Sequence, residues 1–328
     1  MTKMAEPKIS IIIPAYNLES CIDHTLKSAL TQTFPSLELV LVNDGSIDNT
    51  LQIAGEVLGE SDMDYQILDQ ENQGVSQARN AGIRTARGEY LFFLDGDDYL
   101  EPDCLEKMYQ ALVEHHTQTV YTNYVKVTET GDRIEIPVVK LPEKSSAEYL
   151  IKLELSMAIT FSFCQLLYPR RVLIEKDIFF NPELRYGEDT DFALRVLAHL
   201  DSVAYVPEEL IYYVQRKTSS TRKTLLNRYD FINALEGIKN YYQKNGIREE
   251  VVDLIDHNRI PKSIMGNTNF LLDQGLSLKE VVGELEKRNL LFRLKDFQPT
   301  GSTDYRFLAK TRLFATSPRL YYHLRRLI

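Results

Sequence analysis

Cysteine is scarce, and its spacing suggests neither a disulfide framework nor a metal site. The three cysteines, Cys21, Cys104 and Cys164, lie far apart in the 328-residue chain, with no CxxC pair and no zinc-ligand spacing. An odd number of thiols without a framework is typical of buried, reduced cysteines. The sequence therefore predicts a protein of a reducing compartment.

Long apolar runs and an excess of basic residues are also absent. No stretch approaches the roughly 20 apolar residues of a membrane span, and a first strand beginning by Lys8 leaves no room for a signal peptide. With 38 basic and 47 acidic residues the net charge is −9, which argues against nucleic acid as a partner. We predict a cytoplasmic protein, at most peripheral on the cytosolic face of a membrane.

What the sequence does contain is an alternation of apolar runs and helical patterns. The predicted strands are 10–17, 37–46, 64–70 and 89–98, and the helices between them are 18–32, 48–59 and 74–87. Fully apolar strands are typical of parallel sheets covered on both faces. Four βα units in succession predict an α/β fold with a doubly wound, mostly parallel sheet.

After about residue 100 this alternation stops. The patterns predict helices near 102–115, 147–156 and 186–200, a hairpin over 119–139 and a strand over 208–215. From about residue 221 the patterns are helical, near 223–243, 247–257 and 277–288. We therefore predict a catalytic domain over 1–220 and a helical C-terminal domain over 221–328.

Polar clusters follow the predicted strands at the edge where ligands bind in such sheets. The stretch LFFLDGDDYL places Asp95, Asp97 and Asp98 directly behind an apolar strand. Carboxylates this close raise one another's pKa, and a divalent cation such as Mg²⁺ would relieve the conflict. Gly96 would let a phosphate or ribose approach the backbone. The alternative is a solvated turn before the next helix.

Two other acidic motifs fit this stretch poorly. An EF-hand loop starting at Asp95 needs glycine where Leu100 stands. A phosphatase motif of the haloacid dehalogenase type needs Thr or Val where the chain has Tyr99.

The remaining clusters have a functional and a plain structural interpretation each. Asp44 could accept the imide N–H of uracil, or belong to an ordinary Asp-Gly turn. Arg79 could pair with a carboxylate or reach a phosphate, or be an exposed helical arginine. Glu188 and Asp189 could include a general base, or interact favourably with a helix dipole.

The loop QRKTSSTR offers Arg216 and Ser219 as a diphosphate clamp, and its plain alternative is a basic surface loop.

Together these stretches resemble the family 2 glycosyltransferases, which have the GT-A fold. The matching motifs are SIIIPAYN, LVNDGS, ENQGVSQARNAGI, GEYLFFLDGDD and GEDTDF, in this order over about residues 8–215. The resemblance implies an inverting transfer of sugar from a UDP-sugar, with Mn²⁺ or Mg²⁺. The acceptor would be a hydroxyl of a glycan or lipid-linked polymer, in cell-surface polysaccharide or teichoic-acid-type biosynthesis. A non-catalytic sugar-nucleotide-binding assembly subunit is the alternative.

The resemblance also implies a role for each matching residue. Asp189 would be the catalytic base, supported by Glu188, and Asp97 would bind the metal together with Asp95. The nucleotide site would comprise Pro14, Tyr16, Asp44, Asn72, Arg79, Asp95, Gly96 and Asp97, with Arg216 and Ser219 at the diphosphate. Family members often have a histidine in the loop that holds Arg216, and this chain has none there.

The C-terminal end is basic and amphipathic. From residue 301 onward there are six Lys or Arg and one Asp, and Leu320, Tyr321 and Leu324 follow helical spacing. Such a segment could lie on an anionic membrane surface. The alternatives are docking on the protein's own core and a homo-oligomer contact.

Overall fold

The computed structural model describes residues 6–138, 140–159, 161–216, 225–295, 297 and 305–325. These form two compact units. The described residues within Met1–Ile151, Ile159–Glu183 and Glu188–Lys217 form unit 1, and those within Lys152–Ala158, Leu184–Gly187 and Thr218–Ile328 form unit 2. The predicted boundary at residue 220 lies outside the described residues and stays a prediction.

Unit 1 contains a five-stranded sheet built on the predicted apolar runs. Strands and helices are numbered in chain order. The spatial order is β3 (Asp64–Gln70), β2 (Leu37–Asp44), β1 (Ile9–Ala15), β4 (Tyr90–Phe93) and β9 (Tyr168–Pro169). The first four are parallel, and β9 pairs antiparallel with β4. The predicted mostly parallel sheet is confirmed, with β9 as an unpredicted edge strand.

A second sheet completes the strands of unit 1. It orders β5 (Tyr99–Leu100), β10 (Ser202–Gln215), β6 (Thr119–Thr128) and β7 (Arg133–Ile134), and β8 (Lys144–Ser146) also pairs with β10. Strands β6 and β7 are antiparallel, as the predicted hairpin requires. The long strand β10 runs parallel to β6 and antiparallel to β5.

Helices cover both faces of the first sheet. The helices that begin before residue 200 are α1 (Ile22–Leu30), α2 (Thr50–Gly59), α3 (Val75–Thr85), α4 (Cys104–Glu114), α5 (Ala147–Ser156), α6 (Arg170–Glu175) and α7 (Glu188–Leu197). Ile11 and Ile13 pack in a core with buried residues of α1, α2 and α4. Ile12 faces the opposite side, against α3. All seven residues of β1 are buried, because neither face of the strand meets water.

Gly82 allows α3 to lie close to β1, and this contact gives a test of the packing. A Cβ on Gly82 would lie 2.4 Å from Ile12 Cγ2, whereas a Cβ on Gly55, in α2, would meet nothing within 4 Å. We expect Gly82→Ala to lower the free energy of unfolding by about 1–3 kcal/mol through overpacking.

Gly55→Ala is the matched control and should raise it by up to about 1 kcal/mol through helix propensity. Urea unfolding of both variants is the measurement, and equal shifts would contradict this account of the α3–β1 contact.

Unit 2 is helical in its described residues from 225 onward. After a 3₁₀ turn at Leu225–Asp230 it contains α8 (Phe231–Lys244), α9 (Glu249–Leu254), α10 (Ile260–Asp273), α11 (Leu278–Lys287), α12 (Leu290–Lys295), α13 (Tyr305–Thr316) and α14 (Pro318–Leu324). The predicted helical C-terminal region is confirmed. Helix α10 was not predicted separately, because Pro261, Gly266 and two asparagines weaken its helical pattern.

Two short segments from the first 220 residues belong to unit 2 rather than to unit 1. The first is tied there by ion pairs. Glu154 lies 2.6 Å from Arg259, and Lys152 lies 3.0 Å from Glu250. The sequence division did not include these segments, since the partners are about 100 residues apart along the chain.

The C-terminal helix α14 packs against other helices of unit 2. The Tyr321 side chain is buried, its hydroxyl donates to Asn269 Oδ1 at 2.9 Å, and its ring meets Phe314 edge-on. Arg325 Nη1 lies 2.9 Å from Asp273 Oδ1. These contacts favour docking on the protein's own core, and membrane or homo-oligomer contact through this segment stays a prediction. No helix of the described ranges is long and apolar enough to span a bilayer.

Substitutions of two neighbouring tyrosines test whether α14 is docked in this way. We expect Tyr321→Ala to cost about 3–5 kcal/mol of unfolding free energy, the range for large buried aromatic side chains. Tyr322→Ala, at a 40 % exposed position, should change it by less than about 0.5 kcal/mol. Similar losses in both variants, measured by chemical denaturation, would count against the docked position of α14.

Candidate active site

The carboxyl ends of β1, β2, β3 and β4 meet at one edge of the first sheet, because the four strands are parallel. The predicted polar clusters therefore lie at the same edge. The loops after β1 and β2 are bonded together: Asn17 N donates to Ser46 Oγ at 3.0 Å, and Ile47 N donates to Asn17 Oδ1 at 2.9 Å. Pro14 is buried in β1, and Tyr16 is 48 % exposed.

Asp44 holds the loop that follows β3. Its Oδ1 accepts from Gln70 Nε2 and Gln73 N, and its Oδ2 accepts from Gly74 N, all at 2.8–2.9 Å. Asn72 is exposed on this loop. Asp44 is 3 % exposed, and its Oδ2 keeps one lone pair. The uracil contact predicted for Asp44 would be made through that atom, and it stays a prediction.

The three aspartates of the turn after β4 differ in burial and in hydrogen bonding. Asp98 is buried, and its Oδ1 accepts from Val214 N at 2.8 Å, so it anchors the turn to β10. Asp95 and Asp97 remain partly exposed, with 28 % and 34 % of their side-chain surface accessible. Burial, together with the charges of Asp97 and Asp95, raises the pKa of Asp98 well above its usual value.

Packing explains why the turn after β4 has a glycine at position 96. A Cβ on Gly96 would lie 2.5 Å from Leu18 Cδ1 and 2.8 Å from Pro14 O. The Gly96 carbonyl accepts from Thr25 Oγ1 at 3.0 Å. A side chain at this position is thus excluded by Leu18 and by the backbone of Pro14, and the approach of a phosphate or ribose to Gly96 stays a prediction.

Arg79 joins the turn after β4 to the start of α7. Its Nη2 donates to Asp95 Oδ1 at 2.7 Å, and its Nη1 lies 3.7 Å from Glu188 Oε1. The side chain is 5 % exposed. Burial alone would lower the pKa of Arg79, but the charges of Asp95 and Glu188 outweigh it, and the shift is upward. The arginine is therefore a fixed positive charge between two carboxylates.

Two phenylalanines that sequence reasoning missed form the walls around this arginine. The guanidinium carbon lies 4.2 Å from the ring centre of Phe163 and 5.2 Å from that of Phe180. Asn80, the next residue, bonds both N and O of Phe180 at 2.8 Å. The adjacent Arg79–Asn80 pair was the available signal, but nothing local indicates partners 84 to 101 positions away.

Glu188 and Asp189 open helix α7, as predicted. Asp189 Oδ1 accepts from Thr190 N at 2.7 Å, and the carboxylate is partly exposed. Burial and the neighbouring charge of Asp189 raise the pKa of Glu188, while Arg79 opposes the shift. The two carboxylates thus differ in environment: Glu188 is paired with Arg79, and among the described residues Asp189 is hydrogen-bonded only to its own helix end.

Arg216 lies beside Asp97. Its Nε is 3.6 Å from Asp97 Oδ2, and its Nη1 donates to Ser20 Oγ at 3.3 Å. Burial and the charge of Asp95 raise the pKa of Asp97 to about 6, although Arg216 opposes this. Ser219, the other predicted clamp residue, lies outside the described residues.

The residues at this edge fit a hard divalent cation that shares its coordination with a ligand. In the described part of the chain no three His, Cys, Asp or Glu side chains form a metal cluster. Asp95 and Asp97 supply two carboxylates, and Asp95 Oδ2 has no partner among the described residues. Mg²⁺ is commonly held by one or two carboxylates, water and substrate phosphates. Burial and the charge of Asp95 raise the pKa of Asp97, and a cation beside it would favour the ionised carboxylate.

Comparison with known proteins identifies the class to which this fold and site correspond. Residues 10–173 match the model of glycosyl transferase family 2. The chain belongs to this family. The GT-A fold is confirmed by the crystal structure of Staphylococcus aureus TarS 1-349 in complex with UDP-GlcNAc. That structure matches with a TM-score of 0.73 at 22 % identity, over 96 % of this chain and 88 % of TarS 1-349.

Curated relatives match over part of their length. The putative glycosyltransferase EpsH of Bacillus subtilis is 34 % identical over 214 residues, which are 64 % of this chain and 61 % of EpsH. The poly(ribitol-phosphate) beta-N-acetylglucosaminyltransferase TarS of S. aureus is 28 % identical over 212 residues, 64 % of this chain and 36 % of TarS. The chain thus spans less than two thirds of the length of either relative.

Proposed function

We propose that the chain is an inverting, metal-dependent glycosyltransferase that moves a sugar from a UDP-sugar to a hydroxyl of a glycan or lipid-linked acceptor. Cell-surface polysaccharide or teichoic-acid-type biosynthesis is the proposed setting. Family membership supports the reaction class, and TarS, which is known with UDP-GlcNAc, supports the donor class. The observation that carries the proposal is Arg79, which holds the acidic turn after β4 and the acidic start of α7 together.

The nucleotide would bind along the carboxyl edge of the sheet. Pro14 and Tyr16 would line the base and ribose pocket, and Asp44 would accept the uracil imide N–H. The exposed Asn72 would complete this part of the site. The exposure of Tyr16 supports a role in stacking against a ring.

The diphosphate would lie beside the turn after β4. Asp97 and Asp95 would hold Mn²⁺ or Mg²⁺, and Arg216 would contact a phosphate once the cation engages Asp97. A cation held there would supply positive charge to the departing diphosphate, an effect typically worth about several kcal/mol. Arg79 would bind no phosphate itself and would instead orient Asp95, since its side chain is buried.

In the transfer step, Asp189 would accept the proton of the acceptor hydroxyl. An acceptor oxygen forms a bond to the anomeric carbon while the bond from that carbon to the diphosphate oxygen breaks. The Asp189 carboxylate takes the hydroxyl proton, and Glu188 remains paired with Arg79. Attack opposite the leaving group inverts the configuration, so an α-linked donor gives a β-linkage.

A donor panel tests this function. We expect UDP-sugars, in the presence of Mn²⁺, to raise the melting temperature more than GDP- or dTDP-sugars do. One UDP-sugar should also be hydrolysed slowly without acceptor, in a reaction that needs both Asp97 and Asp189. Binding of UDP-sugar with neither hydrolysis nor transfer to any glycan acceptor would favour the non-catalytic assembly subunit instead.

A further inference from the structure

Strand β10 brings a tyrosine, Tyr213, next to the acidic turn after β4, and both belong to unit 1. The antiparallel pairing of β10 with β5 places Tyr212 opposite Tyr99. Continued by one residue, the same register places Tyr213 opposite Asp98. The hydrogen bond from Val214 N to Asp98 Oδ1 at 2.8 Å holds the two segments in this alignment.

Tyr212 and Tyr213 belong to opposite faces of the second sheet, because side chains alternate along a strand. The Tyr212 ring stacks on Tyr99 with ring centres 4.4 Å apart, and its hydroxyl donates to Glu101. Opposed side chains of an antiparallel pair share a face, with Cβ atoms about 4.5–5.5 Å apart. Tyr213 therefore lies on the same face as Asp98, beside the turn, and Tyr212 does not share these surroundings.

Two neighbours on β6 fix the ring of Tyr213. The Tyr124 ring meets it edge-on, with ring centres 6.3 Å apart, and Lys126 Nζ lies 5.6 Å from its centre. Lys126 is also the β6 residue that pairs with Tyr213 in the parallel register. Aromatic and cation–π contacts of this kind favour one orientation of the ring. The position of the hydroxyl is thus set before a ligand arrives.

The hydroxyl of Tyr213 has no hydrogen-bond partner in the part of the chain that the structure describes, and the side chain is only partly exposed. Tyrosine hydroxyls withdrawn from water usually find such a partner. Burial and the charges of the three aspartates in the turn after β4 raise the pKa of Tyr213. The phenol therefore keeps its proton at neutral pH and can donate it in a hydrogen bond to a ligand.

The diphosphate is the acceptor that the proposed donor site would place at the end of β10. Arg216 follows Tyr213 by three residues, and its Nε lies 3.6 Å from Asp97 Oδ2. The end of β10 therefore runs along the aspartates at which a cation and a diphosphate would bind. A hydrogen bond to an ionised oxygen is roughly twice as strong as one between neutral groups. A phenol supplies it without adding a charge.

We propose that Tyr213 is a substrate-binding residue whose hydroxyl donates a hydrogen bond to an oxygen of the donor's diphosphate. This rests on the proposed function and adds to the site a residue outside the sequence motifs. The diphosphate gains negative charge as it departs, and a donor already in position stabilises that charge. Tyr213 thus contributes both to the affinity for the nucleotide and to the rate of transfer.

Tyr213→Phe in the full chain removes only the hydroxyl and tests the proposal. We expect UDP, in the presence of Mn²⁺, to bind about 10-fold more weakly by calorimetry, the loss that follows removal of a hydrogen bond to a charged group. Sugar transfer should slow by at least ~10-fold. Uridine, which has no phosphate, should bind the variant and the wild type equally in NMR titrations. Tyr212→Phe, on the opposite face, is the matched control and should leave UDP affinity unchanged.

The controls separate a diphosphate contact from a structural role, and thermal unfolding shows that each variant is folded. Undiminished UDP affinity in Tyr213→Phe would overturn the proposal. Equal losses in Tyr213→Phe and Tyr212→Phe, or a loss of uridine binding as large as that of UDP binding, would overturn it as well. The wild type tests the proposed function separately: if it binds no UDP with Mn²⁺, that function is refuted, whereas UDP binding that Tyr213→Phe retains in full refutes only the contact.

Discussion

Asp189→Asn is expected to bind UDP as the wild type does and to transfer sugar at least ~100-fold more slowly, which is the scale of general-base loss. Asparagine can keep the hydrogen bond from Thr190 N, because its amide oxygen accepts as the carboxylate does. It cannot take a proton from the acceptor. The variant therefore removes the base and preserves the start of α7.

The measurements are the rate of sugar transfer and the affinity for UDP by calorimetry. Asp201→Asn, at an exposed aspartate shortly after the same helix, is the matched control and should transfer at the wild-type rate. Transfer by Asp189→Asn within a few-fold of the wild type would remove Asp189 from the role of base. Loss of UDP binding in that variant would indicate a structural role instead.

Arg79→Met should lower both the free energy of unfolding and the metal-dependent affinity for UDP. It leaves Asp95 and Glu188 near one another without the cation that lies between them, and it opens space between Phe163 and Phe180. Removing one partner of a buried ion pair typically costs 3–5 kcal/mol. We expect about that loss of unfolding free energy, and weaker metal-dependent UDP binding because Asp95 is no longer held.

Urea unfolding measures the change, with Arg84→Met as the control. Arg84 belongs to the same helix but is exposed, and it contacts the Phe179 ring at 4.9 Å. Its loss should cost less than about 1 kcal/mol. The double variant Arg79→Met, Asp95→Asn should recover part of the stability, since it removes one uncompensated charge. Similar losses for Arg79→Met and Arg84→Met would contradict the bridging role.

The sequence predicted the sheet because β1, β2 and β4 are apolar on both faces, a pattern that few other structures produce. The helices of unit 2 were harder to predict. α9 and α10 are joined through a π-helical turn next to Pro261, and a proline in a helical pattern normally indicates an end. Strand β9 has two residues, too few for any periodicity.

The site was predictable as a set of residues but not as a set of contacts. Motif spacing brought Asp95, Asp97, Glu188 and Asp189 into one hypothesis, and Arg79 places two of them together. The packing role of Gly96 was not predicted, because Pro14 and Leu18, which exclude a side chain there, are distant along the chain. No local pattern predicts such contacts, since they depend on how the elements pack.

The central claim is that the aspartates after β4 hold a cation against a nucleoside diphosphate. Calorimetry of UDP binding with Mn²⁺ and with EDTA, on the wild type and on Asp97→Ala, tests it most directly. We predict that Mn²⁺ strengthens UDP binding to the wild type and that Asp97→Ala loses this gain. Equal UDP affinity with and without Mn²⁺ in the wild type, or an undiminished gain in Asp97→Ala, would contradict the claim.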